Sequence, residues 1–110
     1  MKQRILILLL AGTFLAGGCS SSAPVPISNS STTQIYALSE VQAANNAQKC
    51  WTVINGKVYD LTSFISAHKG GKGNILKLCG IDGTNQFLAQ HQGQKKPEAE
   101  LSSLQIGILK

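Results

Sequence analysis

The sequence is poor in charge. Asp, Glu, Lys and Arg make up 14% of its 110 residues, against roughly 25% in ordinary globular chains. A nucleic-acid binder would crowd Lys and Arg, so that class is excluded. Apolar residues are 43%, so the scarcity of charge is not that of a disordered chain. No apolar stretch is long enough to span a membrane: the longest covers about 12 residues where ~20 are needed. No internal repeat and no βαβ alternation appear. Gly70-Gly71-Lys72-Gly73 lacks both the Walker spacing and the preceding strand of a phosphate loop. No nucleophile–base pair and no flavin or nicotinamide motif is present, so the chain does not read as an enzyme. Histidine occurs twice and cysteine three times, and an odd cysteine count in an exported chain needs an explanation.

The N-terminus supplies one. Lys2 and Arg4 precede an apolar run over residues 5–10, which continues less densely to Ala16. This is the layout of an export signal. Its end, Leu15-Ala16-Gly17-Gly18-Cys19, resembles the lipobox of bacterial lipoproteins, in which cleavage before the cysteine is coupled to diacylglycerol attachment. The usual Leu three places before the cysteine is Ala16 here, with Leu15 one place further back. Ser20 after the cysteine is compatible with transfer to the outer membrane. The resemblance implies a signal peptide over 1–18, a lipid on Cys19 and a location on the periplasmic face of the outer membrane. Residues 19–33, rich in Ser, Thr, Asn, Pro and Ala, read as a flexible tether. Without Lys2 and Arg4 the formal charge falls from +5 to +3. Residues 34–110 remain to fold, a length at which a core is marginal without a staple or cofactor.

That domain reads as α+β. Ser39 as N-cap with Gln42 three places on predicts a short helix ending near Asn45-Asn46. Apolar, β-branched residues over 50–54, then Asn55-Gly56, then 57–61 predict a hairpin. Thr62 is the expected cap of a helix over 63–67. A helical turn over 74–79 buries Ile75, Leu76 and Leu78. A helix over 82–90 carries Phe87 and Leu88. A last helix over 97–103 starts with Pro97, and residues 104–109 form a closing strand.

His68 and His91 each stand where a short helix gives way to a Gly-containing loop. Imidazole is the commonest metal ligand, but spacing alone does not separate two ligands from two unrelated side chains. The longer string does. Cys50-Trp51-Thr52-Val53-Ile54-Asn55-Gly56-Lys57-Val58-Tyr59-Asp60-Leu61-Thr62-Ser63-Phe64 is followed by His68-Lys69-Gly70-Gly71, Cys79-Gly80-Ile81-Asp82-Gly83-Thr84, Phe87 and His91. This resembles the cytochrome b5-like haem-binding domain family from about residue 35 to residue 109. Two departures stand out. Lys69 replaces the Pro after the first His, and the Phe87–His91 interval is one residue shorter than in the common vertebrate form.

The resemblance implies a small mixed sheet with short helices forming a pocket for non-covalent haem b, with His68 and His91 as axial ligands. Each ring's Nδ1–H would point at a backbone carbonyl. Two filled axial sites leave electron transfer as the chemistry. Phe64, Gly70, Gly71, Ile75, Leu78, Phe87 and Leu88 are the expected pocket residues, while Trp51 and Tyr59 are expected in the core beneath. The alternative is a non-redox module holding haem or a small apolar ligand. No Cys-x-x-Cys-His motif supports covalent haem. The spacing of Cys50, His68, Cys79 and His91 lacks the close pairs of zinc sites. An oxidising compartment favours a Cys50–Cys79 disulfide over two buried thiols. Lys69, Lys72, Lys95 and Lys96 flank the two His loops and would steer an acidic redox partner, unless they are simply a solvated face. A monomer is expected.

Overall fold

The computed structural model describes residues 32–110 together with Gly12, Gly17 and Gly18. The expected signal run, Cys19 and most of the tether lie outside the described residues. The chain divides into units Met1–Ser30 and Ser31–Lys110, and all the described helices and strands belong to the second. Among the described residues no helix is long and apolar enough to cross a membrane.

The element order is β1 (Ile35–Tyr36), α1 (Leu38–Ala43), β2 (Asn45–Asn46), β3 (Lys49–Ile54) and β4 (Lys57–Asp60). A 3₁₀ turn (Thr62–Phe64), α2 (Lys72–Leu76), α3 (Thr84–His91), α4 (Lys95–Ser103) and β5 (Gln105–Leu109) follow. The sheet order is β1-β5-β4-β3-β2. β3 and β4 form the expected antiparallel hairpin, with Val53 opposite Val58 and Ile54 opposite Lys57. Asn55 (φ 50°) and Gly56 (φ 73°) both take the left-handed conformation. The twist of a two-residue hairpin demands this, and Asn-Gly adopts it at least cost.

β1 lies parallel to β5, Ile35 beside Ile108, and β5 pairs antiparallel with β4. β1 and β2 have two residues each, and neither is predicted from the sequence. Asn45-Asn46, the expected helix end, is β2, paired with Cys50 and Lys49.

Strand alternation divides the core. Cys50, Ile54, Tyr59 and Leu61 face one side, with Ile65, Ile75 and Cys79 packed on them. Val53 and Val58 face the other side with Val41. Tyr59 builds the floor as expected, and its burial pushes the phenol pKa up. Trp51 does not. It packs on the far face, its ring centroid 5.1 Å from that of Tyr36 and 4.3 Å from Lys49 Nζ, because the period of two puts it opposite Cys50 and Thr52.

Several expected caps are displaced. α1 begins after Ala37, where β1 has just ended. Ala37 N–H donates to Glu40 Oε2 at 2.8 Å, so Ser39 lies inside the helix. Thr62 does not cap a helix with its side chain. Its hydroxyl donates to Asp60 Oδ1 at 2.6 Å and accepts Cys50 N–H at 3.0 Å, lashing the hairpin exit to β3. Leu76 is 42% exposed, not buried. α4 begins at Lys95, two residues before Pro97, which sits third in the helix; the N–H that Pro lacks there has no intrahelical partner anyway.

Cys50 and Cys79 are joined, Sγ to Sγ 2.02 Å, across 29 positions. Gly80 N–H donates to Trp51 O at 2.7 Å and Val53 N–H to Ile81 O at 3.1 Å. The Thr52 hydroxyl donates to Ile81 O at 2.9 Å. The segment after α2 is therefore sewn along β3.

Candidate functional site

One face of the hairpin and the helices over it enclose a cavity of about 710 Å³. Ile54, Leu61, Phe64, Ile75, Leu78 and Phe87 line it, and α4 adds Leu101, with Leu104 just beyond its end. His68 and His91 line it from different segments, their ring centroids 6.4 Å apart and their planes at 87°.

Each imidazole is set by the phenylalanine one helical turn earlier. Phe64 and His68 have centroids 5.5 Å apart, Phe87 and His91 5.4 Å. An i, i+4 spacing places such side chains on one face of a turn. His68 N–H donates to Phe64 O at 3.0 Å, closing that turn. The repeated Phe-x-x-x-His spacing is thus a sequence signal for this site, and sequence reading missed it.

The second ring nitrogens differ in their surroundings. His68 Nδ1 faces the backbone carbonyl of Gly71 at 3.2 Å, in line with expectation. A carbonyl only accepts, so this contact makes Nδ1 the protonated nitrogen and leaves Nε2 with its lone pair. His91 departs from expectation: its Nδ1 faces a side chain, Gln94 Oε1, at 3.5 Å. Gly70 approaches His68 so closely that a Cβ there would lie 2.6 Å from His68 Cε1. At Gly71 the demand is conformational, because φ is 96° where α2 begins.

Of the expected pocket residues, Phe64, Gly70, Ile75, Leu78 and Phe87 line the cavity. Leu88 does not, since it follows Phe87 by one residue and so lies about 100° further round α3. Gly71 also stays out of the lining and contributes its carbonyl instead. Sequence reading missed Ile54, Leu61, Leu101 and Leu104. The first two look like plain hairpin core, and the last two depend on how α4 folds back. Lys69 and Lys96 line the cavity and Lys77 joins them, while Lys72 and Lys95 do not. Glu100 is the only acidic lining residue among those described.

Comparison with known proteins bears on the fold and the family. The family model described as "Cytochrome b5-like Heme/Steroid binding domain" matches residues 37–110. Cytochrome b5 of Nicotiana tabacum is 47% identical over 55 residues, covering 50% of this chain and 40% of that protein. Nitrate reductase [NADH] 2 of Arabidopsis thaliana is 38% identical over 79 residues, covering 72% of this chain and 8% of that protein. The chain thus spans less than half the length of these two relatives. Among solved structures, cytochrome b558 of Ectothiorhodospira vacuolata, described as a prokaryotic homologue of cytochrome b5, superposes with a TM-score of 0.65 at 31% identity. It covers 71% of this chain and 100% of its own. A five-stranded sheet, short helices and a histidine pair lining the cavity accompany a family match over residues 37–110, most of the folded unit: the chain belongs to the cytochrome b5-like heme/steroid binding domain family.

Proposed function

We propose that this chain is a membrane-tethered bis-histidine haem b protein that carries electrons in the cell envelope. The observation that carries the reading is the 6.4 Å separation of the two imidazole centroids across an apolar cavity. A nitrogen–metal bond of about 2.0 Å on each side, with about 1.1 Å from nitrogen to ring centre, gives about 6.2 Å between two rings holding one metal. The cavity volume of about 710 Å³ falls within the ~300–1,000 Å³ of cofactor pockets. The residues present therefore fit haem. His68 and His91 would hold the iron through Nε2, and the apolar side chains of the cavity would exclude water from its faces. When bound, the haem would supply a one-electron couple, and with His68 and His91 both holding the iron no place would be left for a substrate on the metal. The test is an absorption spectrum, oxidised and then reduced. A sharp α-band of low-spin six-coordinate haem is expected, and a protein left colourless after haem reconstitution overturns the reading.

Gly70 gives a finer check. Because His68 is tied to Gly71 O, its ring cannot retreat from a new Cβ at position 70. Gly70→Ala is expected to weaken haem retention about tenfold, in the range for residues that orient a ligand, measured by transfer to a haem-scavenging apoprotein. Unchanged retention counts against the tight approach.

The partner follows from charge. Lys69, Lys77 and Lys96 line the cavity, with Glu100 as the one acidic lining residue among those described, which favours an acidic redox protein. Electron exchange with an acidic carrier is expected to slow as salt rises from low to physiological strength, and exchange with a basic carrier to quicken. The opposite pair of slopes refutes the assignment.

The anchor is read from Leu15-Ala16-Gly17-Gly18-Cys19. Lipid on Cys19 would place the domain on a membrane surface by way of residues 20–33. Cys19→Ser should move the protein from the membrane fraction to the soluble fraction on cell fractionation.

A further inference from the structure

We infer that Gln94 is a positioning residue that fixes which nitrogen of His91 carries the proton and sets how strongly the other donates to a metal. This rests on the haem reading above, but its observations are independent of it.

The chain of constraint begins at a backbone carbonyl. Gln94 Nε2 donates to Gln90 O at 2.9 Å. A carbonyl oxygen can only accept, so the amide is oriented with its nitrogen toward Gln90, which leaves Oε1 to face His91 Nδ1. Oε1 likewise only accepts, so the hydrogen belongs on Nδ1, and Nε2 keeps its lone pair.

The turn that holds Gln94 is itself fixed. Gln94 N–H donates to His91 O at 3.0 Å, Glu98 N–H to Gln94 O at 3.2 Å, and Gly93 N–H to Glu98 Oε1 at 3.0 Å. The side chain thus leaves a braced N-cap position rather than a free loop.

The two imidazoles are held by acceptors of different kinds. His68 faces a peptide carbonyl that no substitution removes. His91 faces a carboxamide that a single substitution can remove or charge. An acceptor on Nδ1–H raises the basicity of the ligating nitrogen and so favours the ferric over the ferrous state.

Two variants separate this role from a structural one. Gln94→Leu and Gln94→Glu both lose the donor to Gln90 O, so any structural cost is shared. Their effects on His91 are opposite. Gln94→Leu removes the acceptor and is expected to lower the ferric preference about tenfold, raising the one-electron potential by about 59 mV. Gln94→Glu supplies a charged acceptor and is expected to lower the potential. Opposite shifts with the low-spin spectrum intact support the inference; no shift, or shifts of the same sign, overturn it. A second readout needs no haem. ¹⁵N shifts of His91 in the haem-free protein should report the Nδ1–H tautomer, and Gln94→Leu should shift the population toward Nε2–H. An unchanged tautomer also overturns the inference. A wild-type protein that takes up no haem at all counts instead against the haem reading, and the tautomer measurement still decides the role of Gln94.

Discussion

Replacing either His68 or His91 with Ala is expected to abolish the six-coordinate low-spin spectrum of the proposed haem complex and to lower haem affinity by more than about 100-fold. The floor on that figure comes from lesser changes: removing a group that only orients a metal-bound ligand costs about 10–100-fold, and here the ligand itself goes. The rest of the cavity persists, because its apolar lining comes from the hairpin, α3 and α4 independently of either imidazole. A residual five-coordinate complex on the remaining histidine is the expected product. The loss also appears as stability. Haem at 100 times its Kd adds about 2.7 kcal/mol to the folded state, worth about 10–20 °C in Tm for a domain of this size. The wild type should gain that on reconstitution, and each Ala variant should lose most of it. An affinity unmoved by His91→Ala would favour the alternative, a module that holds haem or another flat apolar ligand without using iron ligation.

Cleaving the Cys50–Cys79 bond is expected to cost about 3.5 kcal/mol, from the loop-entropy dependence applied to its 29-position separation. A domain of residues 34–110 has a total stability of roughly 4–12 kcal/mol at the usual value per residue. The bond therefore supplies between a third and nearly all of it. The paired Cys50→Ala, Cys79→Ala variant should unfold some 15–25 °C below wild type, and reduction of the native bond should do nearly the same. Haem should restore much of the loss, since bridge and cofactor stabilise one folded state. A denaturant midpoint for the haem-free protein that is the same with and without reductant would show that the bond contributes little. Cys50 and Cys79 lie in the buried cluster under the cavity, so small voids left by Ala add to the cost.

Legibility in the sequence follows the range of the forces involved. The β3–β4 hairpin is readable because Asn55-Gly56 specifies its turn locally. β1 and β2 are unreadable for the opposite reason. Two residues carry no periodicity, and β1 owes its existence to β5, some seventy positions away. The Ser39 and Thr62 cap assignments go wrong because a neighbour competes. Glu40 reaches back to Ala37 N–H, and Asp60 takes the Thr62 hydroxyl. Pro97 marks the right helix but not its first residue, as Pro is tolerated anywhere in the first turn. At the site, residues with unusual chemistry are easy to single out. His68, His91, Phe64 and Phe87 line the cavity, while Leu101 and Leu104 become visible only once α4 has folded back. Gln94 is hidden because its role lies in an amide orientation, and no residue type or spacing announces that.

The sheet order has a consequence for when the domain can form. β5 lies between β1 and β4, so an interior position of the sheet is filled by the last in sequence of the described strands. A chain emerging from its N-terminus can close the β3–β4 hairpin early, within microseconds of its appearance. β1 then waits for residues 105–109 with nothing to pair with. Until they arrive, β4 has one open edge, and Val53, Val58 and Val41 have no Ile106 or Leu109 over them. Completion of the sheet is therefore held back until residues 105–109 are available.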